Sequence, residues 1–149
     1  MRLEIPKVTK VYIYIYIFLF LSVQLALSIV GILKAATEDM KAEKIADALA
    51  ALEQLEGVFK KCSAGKGFFG GDSIGFLDVT LGCYLTSIKV AEKISGAKLL
   101  DKTKIPLLVD WEKRFLVVDF MKRVLPSVER VEELARMLRA KIWNVASAN

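Results

Sequence analysis

The sequence contains no histidine, and that absence excludes several kinds of chemistry at once. Ser-His-Asp and Cys-His nucleophilic sites, histidine-ligated metals and the usual general base at neutral pH all need that residue. Cysteine is scarce too. Cys62 and Cys83 stand alone with no Cys-x-x-Cys spacing, so neither a zinc site nor a redox pair is expected, and no metal ligand set is assigned. Two isolated thiols suit a reducing, cytoplasmic compartment. Cys83, inside an apolar helical pattern, is expected to be a small buried residue. Cys62 follows Lys60 and Lys61 and is expected at the surface of a helix end, where the two ammonium groups would lower its thiol pKa.

Charge of one sign is nowhere concentrated. The net charge of +5 comes from 22 basic and 17 acidic residues, interspersed as in Glu129-Arg130-Val131-Glu132-Glu133. A nucleic-acid surface would cluster the basic residues with aromatics between them, so no nucleic acid is expected as a partner. No Ser/Gly/Pro linker divides the chain. At 149 residues it holds one modest domain and little else.

What the chain does have is a long apolar run. No side chain from residue 11 to residue 33 is charged; as a helix this stretch would reach about 34 Å, enough for a bilayer core of about 30 Å. Arg2, Lys7 and Lys10 precede it, which would leave the N-terminus cytoplasmic. The run exceeds an ordinary signal-peptide core. Its start, Tyr12-Ile13-Tyr14-Ile15-Tyr16-Ile17, is a dipeptide repeat of the kind an alternating TATATA tract encodes. Three readings follow: a membrane helix, a buried helix, or intron or upstream sequence translated in place of a lost domain. Residues 1–33 are accordingly set apart from residues 34–149.

The remainder reads as all-α. Ile45, Leu49, Leu52, Leu55 and Phe59 keep the spacing of one apolar helical face. A second helix is expected over residues 76–94. A third starts near Thr103 as N-cap, with Pro106 tolerated in its first turn and Trp111 in the core. A short turn at residues 119–124 leads to a fourth helix capped by Ser127, with Val128, Val131, Leu134 or Ala135, Leu138 and Ile142 as its buried stripe. Trp143, near the end, is expected to be exposed or to cover a ligand pocket.

The most informative stretch is Gly70-Gly71-Asp72-Ser73-Ile74-Gly75-Phe76-Leu77-Asp78-Val79. Turn formers end at Gly75, placed as N-cap, and Asp78 at N3 can reach back to the cap's N–H. Ile74 and Val79 have the spacing of a hydrophobic staple. Asp78 is therefore read as a folding residue and not a catalytic one. With Phe68-Phe69 before it and Leu81-Gly82-Cys83-Tyr84-Leu85 after it, the stretch resembles the central helix of the C-terminal domain in plant tau-class glutathione transferases. Ile105-Pro106-Leu107-Leu108-Val109-Asp110-Trp111-Glu112-Lys113-Arg114-Phe115 is similar to a later helix of that domain, and the likeness runs over about residues 33–148.

The resemblance implies a helical domain that walls the site of a hydrophobic electrophile, with glutathione as co-substrate and no bound cofactor. It implies Cys83, Ser87, Leu138 and Ile142 as electrophile-binding residues, with plain core packing as the alternative. A tryptophan common in the class is replaced by Ser87, which would enlarge and polarise the pocket. The thioredoxin-like half that binds glutathione has no counterpart in the sequence, and the first helix of the helical half is missing or partly replaced by residues 23–33. The chain alone is therefore expected to be inactive. A non-catalytic module for apolar ligands, pairing with a transferase subunit or held at a membrane through residues 11–33, is the alternative.

Overall fold

The computed structural model describes Glu4 and residues 6–147, which form seven helices with no strand among them. The apolar run folds as a single helix, α1 (Lys7–Lys34). Its alternating Tyr-Ile start is helical because it has no strand to pair with, and a helix satisfies its backbone internally. One face of α1 (Phe18, Leu21, Leu25, Ile29 and Ile32) is buried in the same core as every other helix but α7.

After a short turn the chain folds back as α2 (Glu38–Ser63), packed along α1. Thr37 caps it, its hydroxyl accepting the Met40 N–H at 3.2 Å. Leu52, Leu55 and Phe59 are buried and Ile45 and Leu49 pack partly against the core, the face the apolar spacing predicts. Ala64 ends the helix in the left-handed region, at φ 51°.

The expected single central helix is two. α3 (Phe76–Gly82) and α4 (Leu85–Ser95) are separated by Cys83 and Tyr84, where the Tyr84 N–H bonds the Leu81 carbonyl at 3.0 Å in a tightened turn. The cause lies across the core. The Phe115 ring sits against Gly82 so closely that a methyl group there would overlap it. The tightened turn also carries Cys83 outward: its thiol is exposed, not buried as expected.

α5 (Pro106–Leu116) begins at its proline and not near Thr103. A residue before proline is pushed out of the helical region, and Ile105 accordingly sits at φ −130°. Thr103 instead closes a turn, its N–H and hydroxyl both donating to the Asp101 carboxylate, which lies below the ordinary range for that reason. The start of α5 is capped from another helix, by Glu56 of α2, which accepts the Leu107 and Leu108 N–H groups at 2.8 Å each.

α6 (Asp119–Val124) joins to α7 (Val128–Ser147), where Ser127 accepts the Arg130 N–H at 3.3 Å. Polar contacts anchor α7 and the residues just before it. Thr86 donates to the Pro126 carbonyl, Lys93 pairs with Glu132 at 2.6 Å, and Arg139 donates to the Ala35 carbonyl. The expected buried stripe on α7 is therefore only partly buried. Val128, Val131 and Ala135 are half-buried, while Leu134, Leu138 and Ile142 are exposed because no other helix among the described residues covers them. The Trp143 side chain lies outside the described residues.

Candidate functional site

Asp78 anchors the start of α3 through its side chain. It is fully buried on α3 and its carboxylate accepts four hydrogen bonds. Oδ2 takes the Gly75 N–H at 2.8 Å and the Gly70 N–H at 3.0 Å. Oδ1 takes the Phe69 N–H and the Trp111 indole N–H, both at 2.8 Å. A carboxylate so saturated has no lone pair left for a substrate, and it is disposed as a folding residue. The turn it braces is closed by a reciprocal pair of 2.9 Å bonds between Phe68 and Gly71.

That turn inserts Phe69 into a chain of aromatic rings. Phe69 meets Phe59 of α2 at 4.8 Å, Phe18 of α1 at 5.1 Å and Trp111 of α5 at 5.9 Å, all edge-to-face. Trp111 in turn meets Phe115 at 5.2 Å. Asp78 therefore fixes, through one loop, how α1, α2, α3 and α5 meet. Of the staple residues, Ile74 packs partly against the core, while Val79 is 38% exposed.

Beside this junction lies an apolar hollow of about 400 Å³, between the first turns of α1, the end of α2 and the start of α3. Tyr14, Ile15, Phe69, Phe76 and Leu77 wall it; Lys10 and Lys61 stand at its edge. The Lys61 ammonium lies 5.8 Å over the Tyr14 ring, a cation–π contact. Cys62 lines it too. The thiol is partly buried, and burial pushes its pKa up, the reverse of the lowering expected from the adjacent lysines.

The four expected electrophile-binding residues do not line this hollow. Cys83 is exposed at the α3–α4 break, and Ser87 is half-buried on α4. Leu138 and Ile142 are 50% and 40% exposed, a turn apart on α7. Among the described residues no group of three His, Cys, Asp or Glu side chains is placed to hold a metal. The hollow itself is missed by sequence reasoning, because its walls come from three separate segments and one of them, Lys10 to Ile15, belongs to the run set apart as residues 1–33.

The helical bundle and the buried aspartate that starts α3 agree with the resemblance to the C-terminal domain of the glutathione S-transferases. The model of that family's C-terminal domain matches residues 15–117, taking in α1 from its third turn onward. The chain belongs to the glutathione S-transferase family. Its relatives are of the tau class. It is 39% identical over 122 residues to glutathione S-transferase U16 of Arabidopsis thaliana, covering 82% of this chain and 51% of that protein. A probable glutathione S-transferase GSTU6 of Oryza sativa subsp. japonica is 49% identical over 90 residues, covering 60% and 38% respectively. The solved tau-class enzyme of mango, Mangifera indica, aligns at a TM-score of 0.77 with 35% identity, over 85% of this chain and 58% of that one. Rice GST1, solved with glutathione, shares the fold at a TM-score of 0.72 and 21% identity, over 87% and 56% of the two chains. The chain spans about half the length of the curated relatives it matches.

Proposed function

We propose that this chain is the electrophile-side half of a tau-type glutathione transferase, cytoplasmic, which conjugates glutathione to hydrophobic electrophiles when a glutathione-binding unit is supplied. The observation that carries this reading is the family match over residues 15–117 together with the exposed apolar side of α7. In that role the helices do not activate the thiol. They hold an apolar electrophile near the glutathione sulfur and exclude water, so the contribution is positioning. Leu138 and Ile142 supply apolar contact, Ser87 a small hydroxyl, and Cys83 an accessible thiol at the break in the central helix. Glutathione is a co-substrate in this scheme, and the partner is a transferase subunit.

The test has two arms. The purified chain with glutathione and an aryl halide should show no conjugation above a no-enzyme blank. Fused behind the thioredoxin-like half of a tau-class relative, it should conjugate, and Leu138→Ala with Ile142→Ala should raise KM for the aryl halide. Turnover by the chain alone overturns the division of labour; an inactive but folded fusion overturns the proposal.

A second reading, a non-catalytic binder of apolar ligands, is favoured by the 400 Å³ hollow. Binding of an apolar fluorescent probe that is unchanged by Lys61→Glu and by Phe76→Ala would count against it.

A further inference from the structure

The hollow of about 400 Å³ between α1, α2 and α3 has two chemically distinct parts. Its body is apolar, walled by Tyr14, Ile15, Phe69, Phe76 and Leu77, and Phe76 is left 70% exposed. Its edge is basic: Lys10 and Lys61 stand there, and no carboxylate lines it. Neither ammonium joins an ion pair among the described residues, whereas Lys66, a little further along the chain, pairs with Asp72 at 3.0 Å. The Gly70 and Gly75 N–H groups on the same wall are both taken by Asp78, so the two glycines offer no free donor. An anion entering the hollow therefore meets its counter-charge at the lysine edge. An apolar wall with few polar groups, at this volume, is the make-up of a small-molecule site.

Resting on the reading of the chain as a binder of apolar ligands, we propose that this hollow binds a single-chain amphipathic anion, of which a medium-length alkyl carboxylate is the simplest. The tail lies on Tyr14, Phe69 and Phe76, and the head sits between Lys10 and Lys61. The charge of the edge selects the head. A cation would meet two like charges, and a neutral apolar molecule would leave both ammonium groups without a counter-charge. The shape selects a single chain, because a bilayer needs an open apolar face and this surface is concave.

The hollow shares no residue with Cys83, Ser87, Leu138 and Ile142, so the amphiphile does not take the electrophile's place. It presses instead on Phe69, the ring that meets Phe18 of α1, Phe59 of α2 and Trp111 of α5. Occupancy therefore ties the first turns of α1 to the turn that Asp78 braces. Cys62 also lines the hollow, so bound ligand covers its thiol while the exposed Cys83 thiol stays open.

The experiment is calorimetric titration of the whole purified chain with decanoate at neutral pH, with decanol and decyltrimethylammonium as the neutral and cationic counterparts. Decanoate should bind at a single site per chain, roughly tenfold more tightly than either. Lys10→Gln and Lys61→Gln should each raise its Kd about threefold to fivefold, and so should a rise in salt from about 50 to about 500 mM. Octanoate, shorter by two methylenes, should bind roughly tenfold more weakly. Phe20→Ser, on the outward side of α1, should leave Kd unchanged. Decanoate should also slow the modification of Cys62 by a thiol reagent, and not that of Cys83. Equal binding of decanoate and decanol, with both lysine variants unchanged, overturns the anionic head and leaves the apolar-ligand reading standing. No saturable binding of either up to about 1 mM overturns both. Binding that Phe20→Ser weakens, or that leaves Cys62 as reactive as before, places the amphiphile on another face and overturns the proposal.

Discussion

Removing the Asp78 carboxylate should damage the fold far beyond the helix that bears it. In Asp78→Ala four N–H donors lose their acceptor at once. They do not weigh equally. Gly70 is exposed and Gly75 half-buried, so their N–H groups can turn to water. The Phe69 N–H and the Trp111 indole N–H lie beside two buried rings, 5% and 1% exposed, and cannot. A buried donor left unsatisfied costs about 1–3 kcal/mol, so these two together account for roughly 2–6 kcal/mol. Releasing a buried carboxylate to the unfolded chain offsets part of this. The expected loss is about 3–4 kcal/mol, a large share of the 5–15 kcal/mol or so typical of a domain. Asp78→Asn should cost nearly as much, because one face of its amide is a donor pointed at other donors. Urea unfolding followed by far-ultraviolet circular dichroism measures the change as a shift in midpoint at constant slope. A loss below about 1 kcal/mol for Asp78→Ala would refute the reasoning, since it would mean that the aromatic junction holds without its acceptor.

Other perturbations test separate joints. Gly82→Ala should cost about 1–3 kcal/mol by driving the Phe115 ring from its place, and Phe115→Leu in the same chain should recover part of that loss; equal stability of Gly82→Ala and wild type in urea would contradict the packing account. Glu132 is held below the ordinary carboxylate range, chiefly by its hydrogen bond from Lys93, with Arg136 adding to it against the opposing effect of burial. Its folded pKa is depressed, so its contribution is present above the ordinary glutamate value of about 4.3 and is lost as pH falls through the lower folded value. Melting temperature should then drop more between pH 6 and pH 3 for wild type than for Glu132→Gln, and parallel drops would speak against the pair. A disulfide reagent at pH 8 should modify exposed Cys83 quickly and Cys62 slowly, with Cys83→Ser abolishing the fast phase; a fast phase surviving that change would place Cys62 at the surface after all.

Local signals in the sequence carried far, and contacts across the fold marked where they stopped. The α2 face and the Asp78-to-Gly75 bond are legible because each is written within one or two helical turns. The Phe69 and Trp111 donors to Asp78 are not, since Trp111 lies 33 residues away and only the packing of α5 brings it back. The break at Gly82 has a faint local sign, a glycine within a helical pattern, but its cause is a ring on another helix. Cys83 is exposed where its helical pattern predicts burial, and the cause is again that ring.

α1 was the hardest to read. Its polar Ser22 and Ser28 point inward beside the apolar core residues while Tyr12, Tyr16 and Phe20 point out, so both faces are largely apolar and no amphipathic pattern marks the buried side. Ser28 is accommodated by donating to the Gln24 carbonyl of its own helix at 2.8 Å. The outward Leu138 and Ile142 present the opposite case. Their spacing predicts a buried stripe, which needs a covering element that is not found among the described residues.

α1 is a core helix of the transferase domain rather than an appendage to it. Hydrogen exchange of the purified chain, read by peptide mass spectrometry, tests this directly. Residues 18–32 should be protected to the same degree as the middles of α2 and α4, because Phe18, Leu25 and Ile32 share their core. Complete exchange of residues 18–32 within seconds, while α2 and α4 stay protected, would contradict it.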